Sequence, residues 1–157
     1  MLFRSWVIGK TNEPYLAEGI DIYTKRLRHY VPFEMITLPD VKNAGKLSSE
    51  QLKAKEAEIV LKKLKPEDFL ILLDERGRNF TSEEFAVFLE KKLQLPDKKL
   101  VFLVGGAYGF AAALYDQAEA KLSLSKMTFS HQMVRLFFAE QVYRAMTILR
   151  NEPYHNG

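Results

Sequence analysis

Helical stretches alternating with short apolar runs predict an α/β domain: a mostly parallel sheet of five to six strands covered by helices on both faces. That prediction rests on three features of the chain. The apolar runs have strand length and the stretches between them have helical periodicity, Gly and Pro punctuate the joins, and no repeat, low-complexity tract or linker interrupts the 157 residues. Residues 1–157 are therefore read as a single domain, long enough to bury a substantial core.

Met1 to Ile8 is largely apolar, ends at Gly9 and reads as the first strand. Asn12 is expected to cap the following helix, with Pro14 in its first turn and Leu16, Ile20, Tyr23 and Leu27 at helical spacing. Phe33 to Leu38 reads as the second strand, closed by Pro39-Asp40, and Val41 to Leu47 is polar and Gly-containing, the best candidate for a mobile loop. Ser48 and Gln51 form a capping-box signature for a helix to about Leu64, stopped by Lys65-Pro66. Phe69 to Leu73 is the third strand, and Asp74 to Arg78 is expected to be a charged turn at its carboxyl end. Thr81 and Glu84 supply a second capping box, followed by Phe85, Phe88, Leu89 and Leu93 on one helical face. Leu100 to Val104 is the fourth strand, Ala111 to Ala118 a weaker helix, and Lys121 to Leu124 the fifth strand. The last helix, Ser130 to about Leu149, is apolar around most of its circumference, more than one sheet face requires, so part of it is expected to meet a second copy in a homodimer.

Composition narrows the function classes. There is no cysteine, which excludes disulfide and thiolate chemistry and suits an intracellular protein. Arg4 interrupts the first apolar run, and no run approaches the ~18 residues of a membrane span, so no membrane association and a cytoplasmic location are expected. The net charge of +3, from 23 Lys+Arg against 20 Asp+Glu, is a mild push toward polyanions. It is stronger near the C-terminus, where Lys121, Lys126, Arg135, Arg144 and Arg150 face only Glu140 and Glu152.

Gly105-Gly106-Ala107-Tyr108-Gly109 fails as a dinucleotide fingerprint, because Val104 stands where its first glycine belongs. Gly9-Lys10-Thr11 fails as a P-loop, with Arg4 at the opening glycine position. His29, His131 and His155 lack metal-ligand spacing and no nucleophile elbow occurs, so no metal is expected. The glycine turn either lets a ligand approach main-chain N–H and C=O groups or simply makes a tight strand-to-helix turn. Ser125, Lys126 and Thr128 either line a ligand or lead into the last helix. His131 and Arg135, four apart on one helical face, either meet a phosphate at a positive helix terminus or form a solvated edge. If the Val101–Gly109 strand end and the 122–135 loop face each other, the crevice between them is a ligand site of the kind found at the carboxyl ends of parallel strands.

Three segments together carry a specific resemblance: Val104-Gly105-Gly106-Ala107-Tyr108-Gly109, the run from Leu122 to Arg135 (LSLSKMTFSHQMVR), and Glu140-Gln141-Val142-Tyr143-Arg144-Ala145 with the ending Pro153-Tyr154-His155. The chain resembles the large-subunit ribosomal RNA methyltransferase H family, knotted methyltransferases of the SPOUT superfamily, over its full length. The resemblance implies a C-terminal trefoil knot, a homodimer, and S-adenosylmethionine bound by Leu73, Gly105, Leu124, Ser125, Lys126, Met127, Thr128 and Phe129. It implies methylation of N3 of a pseudouridine in 23S rRNA within the assembled ribosome. His131, Arg135, Arg144, Tyr154 and His155 are then the candidates for holding RNA, with Arg135, Tyr154 and His155 the candidate catalytic groups. A non-catalytic RNA-binding factor and a small-molecule nucleotide enzyme are the competing readings.

Overall fold

The computed structural model describes residues 3–157; Met1 and Leu2 of the expected first strand lie outside them. In chain order the elements are β1 (Phe3–Ile8), α1 (Pro14–Leu27), β2 (Phe33–Leu38), α2 (Ser49–Lys63), β3 (Asp68–Asn79), α3 (Ser82–Leu93), β4 (Lys99–Val104), α4 (Ala112–Gln117), β5 (Ala120–Ser123) and α5 (His131–Leu149). The five described strands form one sheet in the order β2-β1-β4-β3-β5, and every pairing is parallel. Parallel strands buried on both faces need near-continuous apolar runs, which Leu70 to Leu72 and Leu100 to Val104 supply.

Alternation along the strands sorts these side chains into two cores. Ile71 and Phe102 point toward α3 and α5, meeting Phe85, Leu89, Phe138 and Val142; the Phe102 and Phe138 rings lie 4.8 Å apart. Leu70, Leu72, Val101 and Leu103 point the other way, toward Ala57 and Val60 of α2 and Leu114 of α4. Burying each of these large side chains contributes about 1.5–3 kcal/mol, so the two layers dominate the stability of the fold.

The helix starts follow local chemistry. Ser48 Oγ accepts from Gln51 N–H at 3.1 Å while Gln51 Oε1 accepts from Ser48 N–H at 2.9 Å, and Thr81 with Glu84 forms the same reciprocal pair. Each such cap contributes about 1 kcal/mol. Two expectations are corrected. The cap of α1 is Glu13, not Asn12, and makes no side-chain capping bond; Pro14 needs no N–H acceptor, and the Asn12 N–H donates instead to Gln132 Oε1 across the fold. The charged segment Asp74–Arg78 is not a turn but a continuation of β3, held because Leu122 of β5 pairs with both Leu73 and Arg78 and Ser123 pairs with Asn79. There the backbones come so close that a Cβ on Gly77 would stand 2.6 Å from Leu122 N. The 41–47 segment contains a single 3-10 turn, Ala44–Lys46.

Candidate active site

A cleft of about 320 Å³ opens at the carboxyl ends of β4, β3 and β5, within the range of small-molecule sites. The glycine turn after β4 and the loop after β5 face each other across it, with the end of β3 running between them. Leu73, Gly105, Leu124, Ser125, Met127, Thr128 and Phe129 all line the cleft, as does His131 at the start of α5. Lys126 sits on the same loop but is exposed and does not contribute to the wall.

Short-range hydrogen bonds set the loop's shape. Ser123 Oγ donates to the Ser125 carbonyl at 2.8 Å, Met127 N–H donates to Ser125 Oγ at 3.0 Å, and Ser130 Oγ caps α5 by accepting from Met133 N–H at 3.1 Å. Thr128 Oγ1 donates to Glu75 Oε2 at 3.0 Å, tying the loop to the extended end of β3. On the opposite wall Gly109 has a φ of +85°, and a Cβ on Gly105 would stand 3.0 Å from the Phe110 ring. Apolar Leu73, Leu122 and Leu124 form the floor between these two main-chain walls, while Met127, Tyr108 and Phe129 stand exposed around the mouth.

Sequence reasoning missed a polar group on the β3 side. Tyr115 Oη donates to Asp74 Oδ2 at 2.6 Å and accepts from Arg76 Nη2 at 3.1 Å. Burial first, then the bond to Asp74, raises the Tyr115 pKa, so the phenol stays protonated and orients the carboxylate. Asp74 and Arg76 stand on β3 and Tyr115 on α4, so the group exists only once the fold brings two segments distant in sequence together.

The basic residues divide. Burial, and after it the Arg135 charge, lowers the His131 pKa below its ordinary value near 6.5, which keeps the imidazole neutral at pH 7. Arg135 does not form the solvent-facing basic pair with His131 that four-residue spacing allowed. It is fully buried: Nη1 donates to the Gly9 carbonyl at 2.7 Å and to Thr11 Oγ1 at 3.2 Å, and Nη2 donates to the Ile8 carbonyl at 2.7 Å. Gln132 holds the same loop through Asn12 N–H and the Lys10 carbonyl. Arg135 thus fixes the β1–α1 connection to the first turns of α5, and its guanidinium is not presented to an RNA phosphate.

Arg144, Tyr154 and His155 form a separate cluster farther along α5. Arg144 pairs with Glu140 at 2.6 Å, and Tyr154 Oη donates to Glu140 at 2.9 Å. The arginine can only donate, so at 3.0 Å the His155 Nδ1 is the acceptor and Nε2–H donates to Glu83 Oε1 at 2.7 Å. Both imidazole nitrogens are therefore engaged. Burial, with hydrogen bonds to Tyr23 and Glu140, raises the Tyr154 pKa, so this phenol is a donor and a stacking surface but not a base. Glu140 lies nine residues, about 14 Å at the helical rise, from His131. Tyr154 and His155, held against Glu140 and Glu83, do not line the cleft of their own chain.

A family model described as "Predicted SPOUT methyltransferase" matches residues 1–155. The chain belongs to the SPOUT methyltransferase family. Among its relatives, "Ribosomal RNA large subunit methyltransferase H" of Parabacteroides distasonis is 59% identical over 150 residues, covering 96% of each chain. The protein of the same name from Cytophaga hutchinsonii is 53% identical over 156 residues, covering 99% of this chain and 100% of that one. A solved structure described as a probable methyltransferase from Bordetella pertussis Tohama I shares the fold, with a TM-score of 0.57 at 13% identity over 92% of this chain and 93% of that one. In this SPOUT chain no described helix is long and apolar enough to cross a membrane, and among the described residues no group of three or more His, Asp or Glu could hold a metal ion.

Proposed function

We propose that this SPOUT methyltransferase takes S-adenosylmethionine as donor and methylates N3 of a pseudouridine in 23S rRNA, on the assembled ribosome and in the cytoplasm. The observation that carries the reading is the cleft itself: apolar in its floor, walled by main chain, and lined by seven of the eight residues to which the resemblance assigns donor contacts.

The residues fit that donor. The Gly105 turn and the 124–129 loop leave main-chain N–H and C=O groups accessible to an adenine edge, and Leu73, Leu124 and Met127 offer apolar surface to the methyl-bearing end. When bound, S-adenosylmethionine supplies an already activated methyl electrophile. The chain's tasks are then to hold N3 in line with it and to help remove the N3 proton. His131, neutral and on the cleft wall, would contact the substrate. Tyr154 would present a stacking surface from a second protomer and Arg144 a cation for phosphate, and His155 would accept a proton only once RNA draws Arg144 off its Nδ1.

A homodimer that sets the cleft of one protomer beside the tail of the other is proposed on that ground. The half-buried apolar residues Met133, Leu136 and Phe137 of α5 are suited to its interface. A trefoil knot in the C-terminal segment is proposed with the family's fold. The test is labelled methyl transfer from S-adenosylmethionine to ribosomes of a strain lacking this modification, with the product nucleotide mapped. Incorporation at a pseudouridine N3 in 23S rRNA is the expected result, and no incorporation on ribosomes or naked rRNA would refute the reading.

A further inference from the structure

Behind the glycine turn lies a buried acid that the mechanism above does not use. Glu56 of α2 is 8% exposed, and its carboxyl packs directly against the backbone of Gly106: a Cβ built there would stand 2.5 Å from Oε2 and 2.9 Å from Oε1. Gly106 lines the cleft on its other side, so the thickness of one glycine separates the carboxyl from the ligand space. The charged group acting on it is a second acid, Asp40, whose carboxylate occupies the matching place against Gly9 on the neighbouring strand end and in turn faces the Arg135 charge. Burial, and after it Asp40, raises the Glu56 pKa, and a positive charge in the cleft would favour its ionised form. An acid kept in such a place, with two glycines cleared to admit carboxylates, contributes little to packing that an apolar side chain would not supply better.

The geometry points to Glu56 as a specificity-determining residue: its negative charge, acting through Gly106, makes the cleft prefer a cationic sulfonium donor over the neutral thioether left after methyl transfer. The inference rests on the proposed use of S-adenosylmethionine. It goes beyond that use by explaining how donor and product, alike in shape, are told apart, which a main-chain wall and an apolar floor cannot do by themselves. Glu56 does not touch the reacting atoms; it is a positioning charge.

The test is calorimetric titration of the full chain with S-adenosylmethionine and, separately, S-adenosylhomocysteine, with and without Glu56→Gln, which keeps the shape and removes the charge. The variant is expected to bind the donor about fivefold more weakly, the scale of one unit charge lost near the ligand at an effective dielectric constant near 20, while product affinity changes less than twofold. Glu56→Asp, which keeps the charge, should restore most of the preference and covers the case of a glutamine variant that folds poorly. Equal loss for both ligands, or no change for either, overturns the inference while leaving the donor assignment intact. If the unaltered chain binds neither ligand, it is the proposed function that fails.

Discussion

The cleft at the strand ends and the cluster at the C-terminal tail both hold polar groups in fixed positions, but they do so with different materials. The cleft is fixed by main chain: a glycine turn braced by Phe110, a loop folded on its own Ser123 and Ser125, and β3 running beneath. Beyond the main-chain bonds of Asn151 and Glu152 that turn it off α5, the tail is fixed by side chains, with Glu140, Arg144, Tyr154, His155 and Glu83 joined in one partly exposed network. Main-chain walls suit a ligand that must be gripped the same way every time. A side-chain network suits a partner that must be admitted and released, since each of its bonds is exchangeable with solvent or RNA at small cost.

That contrast is broken most directly at Gly105. A valine there would drive its Cβ and branches into the Phe110 ring and the ligand space, and donor affinity is expected to fall at least a hundredfold, as calorimetry would measure, because no side chain can adjust to restore a main-chain wall. Retained affinity would mean that the wall does not grip the donor. Next in size is Arg135→Met, which leaves the Ile8 and Gly9 carbonyls without their donors. The expected loss is about 2 kcal/mol of stability, roughly thirtyfold in the folding equilibrium, read from urea denaturation midpoints at constant slope. An unchanged midpoint would show that solvent reaches those carbonyls and that the guanidinium is not a strut.

On the tail side, His155→Ala removes the link between Arg144 and Glu83. Methyl transfer to ribosomes is expected to fall about tenfold with donor affinity unchanged, the scale of one lost hydrogen bond to a charged group. Parallel loss of donor binding would place the tail inside the donor site and erase the distinction between the two regions.

How much of this was legible beforehand varies along the chain for physical reasons. The bounds of β2 and both capping boxes follow from local chemistry, and local chemistry is what a sequence displays. The extension of β3 was concealed because Asp74 to Asn79 lacks apolar alternation; it is a strand only because β5 arrives to pair with it, a contact between residues far apart in sequence. Arg135 was misplaced for a related reason. Helical spacing gives the face a side chain leaves from, but the long arginine stem turns inward to the free carbonyls of Ile8 and Gly9. Glu56 gave no signal at all, since one acid in a charge-rich helix such as α2 looks like any solvated residue until the glycine it packs against is known.

The smallest effect is expected where the two kinds of construction meet. Thr128 Oγ1 to Glu75 Oε2 is an exposed side-chain bond that closes a loop otherwise shaped by its own backbone. Because Ser125 and Ser130 continue to organise the loop in its absence, Thr128→Val should weaken donor binding only two- to threefold, the scale of one solvent-exposed hydrogen bond. Calorimetry at matched ionic strength measures it. A loss as large as that expected at Gly105 would mean that the Thr128–Glu75 bond holds the cleft closed, and that side chains build the donor site as much as main chain does.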